Sequence, residues 1–233
     1  MKKFSRRLSV LLGALILMLA AAAGAELSPA AQKLKEGNNF FVQGKYREAI
    51  ELYDAALALD PKYADAYTAR GLAYRDLGNY ERAIADYSRA IEFDRRHVHA
   101  HFFRGVAYSF QQKYELAVTD FTRAIELKPD FVMAYKFRGD AYRNLKSYAR
   151  AEADINKALA LKPDNAILYV DRAIIFYDLK DYARAIADCN RALELAPNYA
   201  SAYVYRSLCY RMLGETAKAE ADFAKARALG YTG

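Results

Sequence analysis

Residues 66–74 read Ala66-Tyr67-Thr68-Ala69-Arg70-Gly71-Leu72-Ala73-Tyr74, and the phrase Ala-Tyr-x-x-Arg-Gly-x-Ala-Tyr returns with small slips from Ala100, Ala134 and Ala202. The spacing is 34 residues or its double. A fixed period of this length marks a repeat array, in which one supersecondary unit is copied along the chain. Framing the period at Ala30 divides the chain into six repeats, 30–63, 64–97, 98–131, 132–165, 166–199 and 200–233.

Each repeat holds two apolar patterns of helical period. A break such as Asp76-Leu77-Gly78-Asn79 or Asn144-Leu145-Lys146-Ser147 separates them, and a second break such as Asp60-Pro61, Lys128-Pro129, Lys162-Pro163 or Ala196-Pro197 closes the repeat. This is helix, turn, helix. Gly71, Gly105 and Gly139 on the first helix and Ala83, Ala117 and Ala151 on the second are small enough to let antiparallel helices approach closely, with Tyr74, Tyr108, Tyr142 and Tyr210 filling the space beside that contact. One such hairpin cannot bury its apolar face alone, so the repeats must stack, giving an all-α solenoid of antiparallel helix pairs.

The recurring order of an aromatic, Leu-Gly, an aromatic, then Ala, aromatic, Ala and a closing Pro over residues 30–233 resembles the tetratricopeptide repeat (TPR) family. The resemblance implies a right-handed superhelical solenoid whose first helices line an inner, concave groove for protein ligands. Some positions depart from the pattern: Arg95 replaces the closing proline of the second repeat, Ala173 and Ser207 replace the glycine, and Lys33 replaces the first aromatic. The terminal repeats are also more polar, with Lys33 and Glu36 at the positions of Tyr67 and Arg70, and Glu220 and Arg227 at those of Ile84 and Ile91.

Ahead of the repeats, Lys2, Lys3, Arg6 and Arg7 precede an uncharged stretch from Leu8 to Ala25 that closes on Ala23-Gly24-Ala25. That is the layout of a signal peptide over residues 1–25, followed by a linker at 26–29. It predicts export to the periplasm or beyond, with Glu26 as the mature N-terminus; an uncleaved anchor is the alternative. No later stretch is apolar enough to span a membrane. The chain is 54% hydrophobic and 27% charged, the balance of a folded protein. Its net charge of +7 includes those four leading residues, so the repeats are nearly balanced and nucleic acid is not the expected partner. Two cysteines exclude a disulfide-stapled miniprotein and a four-cysteine zinc module, and three histidines leave little material for a multi-histidine metal enzyme. The sequence has no Gly-rich phosphate loop, His-Glu-x-x-His or Gly-x-Ser-x-Gly. It reads as a non-enzyme without a cofactor.

Several residue sets carry chemistry. Arg70, Arg104, Arg138, Arg172 and Arg206 stand where the family usually has leucine, and sixteen residues after each comes Asp86, Asp120, Asp154, Asp188 and Asp222. The first repeat has Glu36 and Leu52 instead, so the two residue types appear and vanish together. A two-pronged ion pair is the simplest reading, with an arginine ladder for an acidic ligand as the alternative. His97, His99 and His101 cluster at one repeat junction, and His97 and His101 are spaced to share a helix face as metal ligands. Against that, His101 fills the slot of Tyr67, Tyr135 and Tyr203. Cys189 takes an aromatic slot and Cys209 an alanine slot on helices expected to be neighbours, leaving open a disulfide or two small buried side chains.

The remaining candidates vary from repeat to repeat on the first helices: Phe102, Val106 and Phe110; Lys136, Asp140, Arg143 and Asn144; Val170, Ile174 and Tyr177; and Val204, Leu208 and Met212. Apolar residues at nominally open sites mark either a binding surface or a packing contact. As a surface, they predict a partner segment with apolar ends and, opposite Lys136 and Arg143, a polar or acidic middle. The lysine–asparagine clamp by which many TPR proteins hold chaperone C-termini is absent, since Asn38 follows Leu34 and the corresponding later positions are Ala69, His99 and Phe103. The expected function is an adaptor of the bacterial cell envelope that binds a protein segment. Self-assembly into oligomers and carriage of a metal or small ligand are the alternatives.

Overall fold

The computed structural model describes residues 27–232. The signal peptide expected over residues 1–25 and the first residue of the expected linker fall outside them. Twelve helices occupy the described residues: α1 (Pro29–Val42), α2 (Tyr46–Leu59), α3 (Ala64–Asp76), α4 (Tyr80–Phe93), α5 (Val98–Phe110), α6 (Tyr114–Leu127), α7 (Val132–Asn144), α8 (Tyr148–Leu161), α9 (Ala166–Asp178), α10 (Tyr182–Leu195), α11 (Ala200–Met212) and α12 (Thr216–Ala228). Their starts follow local chemistry. Ser28 Oγ accepts the Ala31 N–H ahead of Pro29, and Asn79 and Asp181 accept the N–H of Arg82 and Arg184. These side chains satisfy donors that a helix cannot bond internally.

The chain forms two compact halves, one ending at Leu127 and the other beginning at Lys128. The first half stacks the pairs α1/α2, α3/α4 and α5/α6, with α2 against α3 and α4 against α5. The second half does the same with α7/α8, α9/α10 and α11/α12, α8 packing on α9 and α10 on α11. Within each half the first helices also touch one another, α1 with α3 with α5 and α7 with α9 with α11. Second helices of neighbouring repeats make no such contact among the described residues. First helices therefore lie on the tighter, inner side of each stack. Both halves belong to the all-α solenoid class expected from the repeat pattern.

In the first three repeats the close approach within a pair is set by one ring, and in the fourth by Ile155, 3.0 Å from a Cβ added at Gly139. A Cβ added at Gly37 would come within 2.5 Å of the Tyr53 ring, at Gly71 within 2.6 Å of Tyr87, and at Gly105 within 2.8 Å of Phe121. The ring of the second helix, more than the alanine expected from the sequence, needs the glycine. Where Ala173 takes the glycine's place, the opposing residue is the small Cys189, and both lie in one core cluster. Where Ser207 does so, its hydroxyl donates to the Ala219 carbonyl at 2.7 Å.

Two of those rings carry hydroxyls with opposite fates. Tyr53 donates to Asn38 Oδ1 at 2.8 Å, whereas the fully buried Tyr87 hydroxyl has no hydrogen-bond partner because Leu72 stands at the Asn38 register. Tyr87→Phe should leave stability unchanged or raise it by up to about 1 kcal/mol, while Tyr53→Phe should lower it by about 1–2 kcal/mol. Chemical denaturation of the two variants reads the opposite signs directly, and equal losses would contradict this account.

The turn between paired helices needs a left-handed residue. Gly44, Gly78 and Gly214 supply it at φ 77°, 81° and 77°, but Gln112, Lys146 and Lys180 adopt φ 59°, 57° and 62° in the intervening repeats. A side chain there costs about 1 kcal/mol, so Lys180→Gly should raise stability by about 0.5–1 kcal/mol in a denaturant titration.

Candidate binding surface

The five arginines are the most regular polar feature. Nε and Nη2 of Arg70, Arg104, Arg138, Arg172 and Arg206 donate to both oxygens of Asp86, Asp120, Asp154, Asp188 and Asp222 at 2.7–2.9 Å. The third prong reaches sixteen residues the other way. Nη1 of Arg70 meets Asp54, that of Arg104 meets Ser88 at 3.0 Å, that of Arg172 meets Asn156 at 2.7 Å, and that of Arg206 meets Asn190 at 2.6 Å. Each of these four guanidinium groups thus ties the second helix of the preceding repeat to both helices of its own. Hydrogen bonding to Asp86 holds Arg70 above its ordinary range, and burial pushes the Asp86 carboxyl up against that attraction. The acceptors sixteen residues before each arginine escaped the sequence reading, although the signal was there: polar residues fill that register in repeats one to five and Ala224 fills it in the sixth.

Four of the apolar groove candidates are not open surface. Phe102 is fully buried, its ring 5.3 Å from Phe103 and 5.8 Å from Phe121, and Val106 is buried beside it on α5. Val170 sits in a core cluster with Ala166, Ala192, Leu193 and Ala202, against which the partly buried Ile174, Tyr199 and Tyr205 pack, and Val204 is buried on α11. Inner-face side chains this large are consumed by packing between first helices. Phe110 and Met212 remain about half exposed, at 49% and 54%. Ile174, Tyr177 and Leu208 are partly open. One register separates the two halves: Asn38, Leu72 and Val106 are buried in the first, while the equivalent Asp140, Ile174 and Leu208 in the second are only half-buried.

The polar residues between them form a cluster. Lys136 is buried on α7 with Nζ 2.8 Å from Asp140 Oδ2 and 3.3 Å from Asp171 Oδ2, and Arg143 Nη1 lies 3.2 Å from Asp178 Oδ2. Burial works to lower the Lys136 ammonium, but the two carboxylates outweigh it and hold the group above its ordinary value. Burial pushes the Asp171 carboxyl up to about 6 in spite of Lys136. Asp171 was missed in the sequence. Its register carries Ala69, Phe103, Phe137 and Tyr205 in other repeats, so a lone acid there was the available signal.

The histidines have local duties. His97 Nδ1 accepts the Ala100 N–H as the cap of α5, which leaves Nε2 to donate to Asp65 Oδ1 at 3.0 Å. His101, in the tyrosine slot, faces Asp120 Oδ1 at 3.4 Å and the Arg95 carbonyl at 3.3 Å. Among the described residues no group of three His, Cys, Asp or Glu side chains converges as a metal site. Cys189 and Cys209 are buried free thiols in one cluster with Ala173, Phe176 and Ala185, and burial pushes both up, Cys209 to about 11. Among the described residues no helix is long and apolar enough to cross a membrane.

Models of the tetratricopeptide repeat family match residues 34–97, 68–109 and 102–166, and a second such model matches 139–208. The chain belongs to the tetratricopeptide repeat family. Among solved structures, this TPR fold is similar to Pseudomonas aeruginosa PilF (TM-score 0.75, 18% identity, covering 88% of this chain and 93% of that one). It is similar also to a tetratricopeptide repeat protein from Parabacteroides merdae (TM-score 0.70, 27% identity, covering 95% and 85%). A third, YrrB, described as a TPR protein with an unusual peptide-binding site, aligns with TM-score 0.61 at 18% identity over 76% of this chain and 92% of its own. Comparison with curated protein sequences returned no match. Within this TPR fold, the arginine–aspartate pairs join the two helices of a repeat, and the register of Asp140, Ile174 and Leu208 on α7, α9 and α11 is only partly buried.

Proposed function

We propose that this TPR protein is a non-enzymatic interaction scaffold of the bacterial cell envelope that holds a segment of a partner protein on the inner helices of its second half. The observation that carries the reading is the register at which Asp140, Ile174 and Leu208 stay only partly buried while their counterparts Asn38, Leu72 and Val106 are buried. Apolar side chains left open beside a fixed polar cluster are how interfaces anchor and orient an extended segment. The basic and apolar pattern of residues 1–25 supports the envelope assignment. End-to-end assembly of copies is the weaker reading, since Glu36 and Ala224 lack the halves of the arginine clamp that join successive repeats.

The test places a photo-crosslinking amino acid at Met212 in the native host, with Lys157 on the exposed face of α8 as control. A discrete protein adduct at Met212 and none at Lys157, on a chain whose N-terminus is Glu26, is the expected result. Adducts at Lys157 alone would move the interface to the outer helices, and an intact Met1 in the cytoplasmic fraction would remove the envelope assignment.

A further inference from the structure

The sequence set a polar or acidic stretch of the partner opposite Lys136 and Arg143, but both cations already have carboxylate partners. Around them two positive charges meet three carboxylates, Asp140, Asp171 and Asp178. The cations acting on Asp171 are Lys136 and Arg143; Arg211, exposed on α11, forms no ion pair among the described residues. Asp171 Oδ2 lies within ion-pair distance of Lys136 yet makes no hydrogen bond. Two of the carboxylates reach solvent, Asp140 with a side chain 35% exposed and Asp178 with one 30% exposed, and Asp140 is the one that shares a register with apolar neighbours. Asp140, Ile174 and Leu208 share one register on the adjacent helices α7, α9 and α11, so an acid is followed by two apolar residues across the inner face.

Resting on the reading that this face holds a protein segment, we propose that the segment it selects carries a lysine or arginine side chain seated on Asp140, followed by apolar side chains over Ile174 and Leu208. A cation there balances the cluster, whereas an acidic residue would bring a fourth carboxylate to three. The partly buried setting makes that discrimination stronger than it is between exposed charges.

The experiment pans a random peptide display library against the intact protein and against Asp140→Asn, whose half-exposed site keeps the fold, as checked by circular dichroism. With the natural protein, selected peptides should favour Lys or Arg over Asp or Glu by at least about fivefold at one position beside apolar residues. The preference should fade in high salt. Asp140→Asn should lose the basic preference and retain the apolar one. Selection of apolar peptides without a basic residue, or of acidic ones, overturns this proposal and leaves the groove reading standing. Failure to select any related set of sequences would remove the groove reading itself.

Discussion

Phe102→Ala is expected to destabilise the first half by about 3–5 kcal/mol, the cost of emptying a fully buried aromatic site. The ring is walled by Phe103 and Phe121, and neither can collapse into the space without breaking the contact that seats Phe121 on Gly105. Phe110→Ala, at a side chain 49% exposed and stacked on Tyr80 at 5.1 Å, should cost less than about 1 kcal/mol. Denaturant unfolding of the two variants separates them. A Phe102 loss as small as that of Phe110 would return Phe102 to the binding surface where the sequence alone had placed it.

Arg172→Ala should cost about 2–4 kcal/mol, below the upper end for a buried pair because the arginine side chain is 25% exposed. The change strands the buried Asp188 and releases Asn156 of the preceding repeat in one step. Combining it with Asp188→Ala should therefore lose less than the sum of the single losses, with a coupling of about 1–3 kcal/mol. Arg172→Lys should not restore the loss, since one ammonium cannot bridge three acceptors held in the guanidinium plane. Additive losses in the cycle would mean the pair contributes nothing specific. A full rescue by lysine would mean that charge alone, without the fork, joins the repeats.

Neither variant should alter the fold class, because helix formation in this chain rests on a pattern written six times. The 34-residue period, the paired helical stripes, the left-handed turn residue between paired helices and the ±16 spacing about the arginines are all local or periodic features. Arg70 and Asp86 could be paired from the chain alone, since whatever places one pair in register places the others. By itself, then, the sequence determined the repeat architecture and its family, and it offered the arginine–aspartate pairs as the simplest reading beside a ladder for an acidic ligand.

Which inner-face side chains are open was not determined there. Phe102 and Phe110 sit eight residues apart on one helix stripe, yet one is sealed by two rings and the other reaches solvent. Val170 is buried in a core cluster while Ile174, one turn on, packs against it and stays partly open. Lys136 has one carboxylate within reach on its own helix, Asp140 at 2.8 Å, and a second, Asp171, comes from the next repeat at 3.3 Å. Periodicity assigns a residue to a face, but burial and net charge at that face depend on how closely the neighbouring helix packs and on what it brings. Those are properties of side-chain volume and charge summed across helices, and only the tertiary structure decides them.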